Sequence, residues 1–140
     1  GEASGFSAVV WSPHAHSADQ LVASAGKDVY WCNVESDRKL IRLPCQHTRH
    51  VNDISWNYVE ANLILSCSPD SALAIWDIRQ PRAAEVSKMQ SYAPGATQAR
   101  WSRFEGHVFA TAHEYGDVKV WDFRSPQRPL VSLVAHVGPA

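Results

Sequence analysis

A serine, a histidine and an aspartate stand at positions 66, 47 and 70. In a hydrolytic triad these residue types do acyl-transfer chemistry, the histidine taking the serine proton and the aspartate orienting the ring. Such a serine sits on a strained, exposed turn beside an oxyanion hole. Ser66 instead lies inside the apolar run Leu63–Cys67, with no G-x-S-x-G around it. Its hydroxyl is expected to serve the fold. His14 and His16 lie two apart in Ser-Pro-His-Ala-His-Ser. On a strand they could share one metal, but no Cys or carboxylate stands at ligand spacing nearby, so an exposed loop pair is expected. His107 and His113 flank the run Val108–Ala112 and point to its separate ends. There is no phosphate-binding Gly loop, CxxC pair or zincin motif, and no carboxylate pair at catalytic spacing. The expectation is a protein with no catalytic residue, metal site or cofactor.

The elements that hold these residues follow from a repeat. Tryptophans at 11, 31, 56, 76, 101 and 121 are separated by gaps that alternate 20 and 25, so every second one lies 45 residues from the last. A period of about 40–45 residues marks the WD-repeat β-propeller, one four-stranded blade per period. The second period reads HTRHVNDISW (47–56) and LILSCSPDSALAIWDIRQP (63–81); the third reads YAPGATQARW (92–101) and VFATAHEYGDVKVWDFRSP (108–126). Trp76-Asp77-Ile78-Arg79 stands 45 residues before Trp121-Asp122-Phe123-Arg124. The first period is looser. Trp31 gives the 45-residue match to Trp76, but a one-residue shift puts Cys32 in the tryptophan column. The shift keeps the apolar alternation that strand packing needs, so it is the preferred match.

Each period divides into four β-rich runs bounded by Pro, Gly, Asp and Ser. The inner runs are Ser7–Trp11, Val51–Trp56 and Thr97–Trp101. The second are Leu21–Ala25, Leu63–Cys67 and Val108–Ala112; the third are Asp28–Val34, Leu73–Ile78 and Asp117–Phe123. The outer ones are Lys39–Leu43, Glu85–Met89 and Leu130–Val134. The sequence thus predicts an all-β WD-repeat propeller segment of about three four-stranded antiparallel blades, an incomplete ring. The blades span about 7–43, 47–89 and 92–134, and 135–140 opens a further repeat. Propellers close with typically four to eight blades. Leaving roughly 400 Å² of apolar sheet face bare at about 25 cal/mol per Å² forgoes on the order of 10 kcal/mol. The chain is therefore expected to need further blades or a partner, and its lack of an initiator Met points to a fragment or processed chain.

Composition excludes other classes. The 140 residues are 45% apolar and 19% charged, with a net charge of −1, so no basic field draws in a nucleic acid. No apolar run reaches the roughly 18 residues of a membrane span, and the first residues lack the charged and apolar regions of a secretory signal. Cys32, Cys45 and Cys67 are odd in number and widely spaced, which fits a reducing cytosol better than a disulfide framework.

The chain resembles the WD-repeat family over nearly its whole length. In that family a His before the inner strand, a Ser or Thr in the second strand, an Asp in the next turn and the Trp of the third strand form a hydrogen-bonded tetrad. The resemblance assigns these places to His47, Ser66, Asp70 and Trp76. The third period keeps Thr111 and Trp121 but has Tyr92 and Tyr115 at the His and Asp places, so its tetrad is expected to be incomplete, with Glu114 the nearest substitute. Docking candidates lie on loops that a propeller holds rigidly: Arg49, His50 and Tyr92 before inner strands, Arg103 beside Phe104, and Arg79 and Arg124 after the third strands.

A closer resemblance rests on Gln46-His47-Thr48-Arg49, Gly95-Ala96-Thr97-Gln98-Ala99-Arg100-Trp101, Ala110-Thr111-Ala112-His113, Gly116-Asp117-Val118-Lys119-Val120-Trp121-Asp122 and Ala135-His136. These strings are similar to the N-terminal propeller of the WD-repeat-containing protein 59 family, subunits of the SEA/GATOR assembly. The resemblance implies a non-catalytic scaffold that docks other propeller subunits and serves amino-acid signalling to the TOR kinase. It implies a cytoplasmic protein, held at the lysosomal or vacuolar membrane through partners without inserting itself. Alternatively, the tandem Trp-Asp-x-Arg motifs resemble those of cullin-4 RING ubiquitin-ligase substrate receptors, where Arg79 and Arg124 would engage the ligase adaptor. Against that, each Arg could instead pair locally with Asp77 or Asp122.

Overall fold

The computed structural model of the chain describes residues 5–44, 46–81, 84–90 and 95–135. Among the described residues, twelve strands form three four-stranded antiparallel sheets, each in simple sequence order. The first holds β1 (Phe6–Trp11), β2 (Gln20–Ala25), β3 (Asp28–Asn33) and β4 (Ile41–Arg42). The second holds β5 (Asp53–Trp56), β6 (Leu63–Cys67), β7 (Ala72–Asp77) and β8 (Glu85–Gln90). The third holds β9 (Ala96–Trp101), β10 (Val108–His113), β11 (Asp117–Asp122) and β12 (Val131–Val134). Each sheet is a blade, and β1, β5 and β9 lie side by side as the inner strands. No helix among the described residues is long and apolar enough to cross a membrane.

The third strand of each blade stops one residue earlier than the β-rich run suggests, and the same contact follows each end. Val34, Ile78 and Phe123 turn their N–H groups to Asp19, Asn62 and His107 carbonyls, at 2.9, 2.8 and 3.0 Å. Each bond continues the register of the second and third strands by one pair, so the last N–H of the run is satisfied by the residue flanking the second strand. The inner run of the second blade begins at Asp53 and not at Val51, because the Val51 N–H reaches Gly26 O of the first blade at 2.8 Å.

Register settles the alignment of the first period. Trp11 pairs with Leu21 and Leu21 with Cys32. Trp56–Ile64–Trp76 and Trp101–Phe109–Trp121 are the matching columns. Opposed residues share a face of an antiparallel sheet, so Cys32, and not Trp31, stands where Trp76 and Trp121 stand. Trp31 projects from the opposite face, where its indole N–H donates to Gln20 Oε1 at 3.1 Å.

Two apolar seams join the blades. Between the first and second, Val22, Val29 and Leu43 meet Ile54, Trp56 and Trp76. Between the second and third, Leu65, Leu73 and Ile75 meet Trp101, Phe109 and Trp121. The second blade is thus buried on both faces, which explains why β7 reads as a continuous apolar run and not as an alternation. The end blades are covered on one side only. Val9 and Trp11 stay exposed on the first, and Val118, Val131 and Leu133 on the third.

Candidate functional site

The structure brings His47, Ser66, Asp70 and Trp76 into one relay. The Trp76 indole N–H donates to Ser66 Oγ at 2.9 Å, and Ser66 Oγ lies 2.8 Å from His47 Nε2. His47 Nδ1 lies 3.1 Å from Asp70 Oδ2. A carboxylate only accepts, so Nδ1 carries the ring proton, Nε2 accepts from the Ser66 hydroxyl, and the hydroxyl oxygen accepts from Trp76. Asp70 is set by the β6–β7 turn, where it also accepts from Thr48 N–H and Ala72 N–H, both at 2.8 Å. Ser71 completes that turn with φ of 67°, in the left-handed region.

The charges in the relay follow from these contacts. Burial lowers the His47 pKa and outweighs the attraction of Asp70. Burial alone would raise the Asp70 carboxyl, but the Ala72 and Thr48 N–H groups and His47 together hold it below the usual range. Ser66 is fully buried and its oxygen is engaged on both sides, an arrangement that ties the β6 strand to the preceding loop and to β7. Cys67, next to it, is also buried, and burial followed by the Asp53 carboxylate pushes its thiol up to about 12.

The third blade builds a relay by another route. The Trp121 indole N–H donates to Thr111 Oγ1 at 3.0 Å, and Thr111 Oγ1 lies 2.8 Å from His113 Nε2. His113 is buried and ends the same strand as Thr111. Glu114 and Tyr115 are exposed beyond it. Tyr92 lies outside the described residues. The signal for His113 was in the sequence: residues two apart on a strand share a face. In the first blade the hydroxyl position is Ala23 and the indole position Cys32, so both relay groups are missing there.

Side chains also lock the inner strands together. Asp53 accepts from Ala99 N–H at 2.9 Å and ion-pairs with Arg100. Ser55 Oγ accepts from Trp101 N–H at 3.1 Å, and its carbonyl accepts from the Trp101 indole at 3.2 Å. Asp53 and Ser55 alternate with Ile54 and Trp56, so one strand serves a polar contact on one face and an apolar seam on the other. Asn57 joins all three blades. Its amide donates to Gly106 O at 2.8 Å, its side-chain oxygen accepts from Val59 and Glu60 N–H, and its carbonyl accepts from His14 Nε2 at 2.7 Å. The His16 ring stands 5.7 Å from that of His14.

The loop candidates fall at opposite ends of the strands. Arg49 and His50 are exposed on the loop before β5, where the Arg49 carbonyl accepts from Ser68 Oγ at 3.2 Å. Arg79, Arg103 and Arg124 are at the other end. Arg79 grips Asp77 with a shortest contact of 2.6 Å, and Arg124 grips Asp122 at 2.8 Å. Burial would raise Asp77, but Arg79 and Asn62 outweigh it and hold the carboxyl low; Arg124 pulls Asp122 down to about 2. Both guanidiniums are thus committed to an aspartate two residues back, the local pairing that competes with docking of a ligase adaptor. Arg103 lies over the Tyr58 ring, 4.8 Å from its centroid.

No protein-family profile matches the chain. Relatives are nonetheless clear. The GATOR2 complex protein WDR59 of Gallus gallus is 35% identical over 134 residues, 94% of this chain and 13% of that protein. Wdr59 of Drosophila melanogaster is 41% identical over 92 residues, 66% of this chain and 9% of that protein. Maintenance of telomere capping protein 5 of Saccharomyces cerevisiae is 31% identical over 132 residues, 93% of this chain and 11% of that protein. The chain therefore spans only about an eighth of the length of the relatives it matches. None of these three names describes a ubiquitin-ligase receptor. Three stacked four-stranded blades, the repeated indole–hydroxyl–imidazole relay and these similarities agree: the chain belongs to the WD-repeat β-propeller family, on its WDR59-like branch.

Proposed function

We propose that this chain is the propeller segment of a WDR59-like subunit in a GATOR2-type complex. In this reading it is a non-catalytic scaffold. It docks other propeller-bearing subunits, serves amino-acid signalling to the TOR kinase, and works in the cytoplasm or, through partners, at the lysosomal or vacuolar surface. The observation that carries the reading is 35% identity to a GATOR2 protein spread over 94% of the chain. The physical character of the segment supports it. Buried polar groups are spent on relays within the second and third blades and on bonds between inner strands, and the exposed chemistry lies on short loops set by hydrogen bonds, the layout of a rigid docking body.

The test is purification of the tagged full-length protein at its native level, with subunit stoichiometry read by mass spectrometry. Co-recovery of other WD-repeat subunits in fixed ratio supports the scaffold. Recovery of the protein alone, or with an unrelated set of partners, contradicts it.

A further inference from the structure

The loop between β9 and β10 combines rigidity with exposure. Ser102 Oγ accepts from the N–H groups of Phe104 and Glu105, at 3.2 and 3.1 Å. At its far end Gly106 O is held by the Asn57 amide at 2.8 Å, and Ser102 N–H and Val108 N–H bond to Val108 O and Glu105 O. The chain between these fixed points has little freedom, yet it carries Phe104 at 90% exposure. Val59 of the neighbouring blade, itself 49% exposed, stands against Gly106 at the foot of the loop. A single exposed apolar side chain is ordinary on a protein surface. An exposed aromatic on a backbone held at both ends, next in sequence to a stacked arginine, has the composition of an interface anchor.

The charges at this loop give the partner its chemistry. Arg79, Arg100 and Arg124 each hold an aspartate of their own chain. Arg103 holds no carboxylate among the described residues; it is exposed, and its guanidinium is spread on Tyr58, whose ring face takes none of the fork's N–H donors. Glu105, the acid nearest in sequence, faces His107 at 3.4 Å. The stack pre-orients Arg103, so a carboxylate reaching it meets a cation already placed.

We infer that the β9–β10 loop is a protein-docking element: Phe104 enters an apolar pocket of a partner protein, and Arg103 engages an Asp or Glu at the rim of that pocket. The docking element stands whether or not the partner is a GATOR2-type subunit, because it rests on the loop alone.

The experiment places a photo-crosslinking phenylalanine analogue at Phe104 of the full-length protein in cells and sequences the crosslinked peptide. The expected product is one recurrent segment of a partner protein, apolar and containing an Asp or Glu. Arg103→Glu then lowers co-recovery of that partner by about tenfold or more, and exchanging the partner's acid for Arg restores it. Phe104→Ser weakens the same partner while thermal unfolding is unchanged, since the Phe104 side chain is exposed. No adduct between proteins, an adduct to lipid, or full recovery of the crosslinked partner with Arg103→Glu would overturn the inference. Subunit composition of the complex is read separately, so failure of the scaffold reading and failure of this loop are distinguishable.

Discussion

His113 Nε2 lies 2.8 Å from Thr111 Oγ1, two residues back on the same strand, and supplies from within β10 the imidazole that the middle blade takes from a distant loop. His47, 19 residues before Ser66, makes the equivalent contact there at the same 2.8 Å. Both hydroxyls also accept an indole N–H from the third strand. The relay is thus fixed at the buried Trp–hydroxyl–imidazole core, while the path of chain that delivers the histidine is free to vary.

Removing the central hydroxyl should strand two buried nitrogens at once. Ser66→Ala leaves the Trp76 and His47 nitrogens without their partner, and Thr111→Val does the same to Trp121 and His113. Each is expected to cost about 2–6 kcal/mol, at about 1–3 kcal/mol for each of the two unsatisfied groups. Denaturant unfolding of the full-length protein measures it. Losses below about 0.5 kcal/mol would show that water or relaxation satisfies these groups.

The relay also sets an acid sensitivity. Burial holds the folded His47 pKa below its ordinary value of 6.5, so in the window between the two the unfolded chain binds the extra proton. Stability from neutral His47 is therefore complete above 6.5 and is lost as pH falls through that value toward the folded pKa. Asp70, also held low, adds a second loss that begins only below 3.8. Thermal unfolding between about pH 7.5 and about pH 5 should fall more steeply for the native protein than for His47→Gln. Parallel slopes would contradict the assignment.

Gly95 is required by close approach. A Cβ there would stand 2.5 Å from Pro69 Cα and 2.6 Å from Ser68 O, both backbone atoms of the β6–β7 turn. Gly95→Ala should destabilise by about 1–3 kcal/mol, measured by the same denaturant titration. Gly5→Ala, where nothing lies within 4 Å, is the neutral control.

The paired arginines at the end of the third strands are expected to matter little to folding. Exposed ion pairs contribute weakly because solvent screens them. Arg79→Ala with Arg124→Ala should leave the unfolding midpoint and the set of co-purified subunits unchanged. Loss of one defined partner on the double substitution would revive a recognition role for these motifs.

Much of the fold was legible because blade stacking imposes a register on residue types. The columns containing Trp76 and Trp121 are buried at the seams, so indoles recur there, and the shift that places Cys32 in the same column follows from alternation alone. His113 was harder to read. The expectation looked for a histidine before the inner strand, where this period has Tyr92, although Thr111 and His113 are two apart and so share a face. Asp53, Ser55 and Asn57 were missed because their partners, Ala99, Trp101 and Gly106, lie 46 to 49 residues away, and no local pattern marks a contact made across a seam. Phe104 stood out only as a residue type; its exposure depends on how Ser102 and Asn57 fix the loop.

The measurement that most directly tests the repeated relay is hydrogen exchange at the indole N–H groups of Trp76 and Trp121 in the full-length protein. Both indoles are fully buried and bonded to a hydroxyl, so both signals should persist far longer than those of the denatured chain, the first lost on Ser66→Ala and the second on Thr111→Val. Rapid exchange at either site in the native protein, or unequal protection of the two, would contradict the equivalence of the blades.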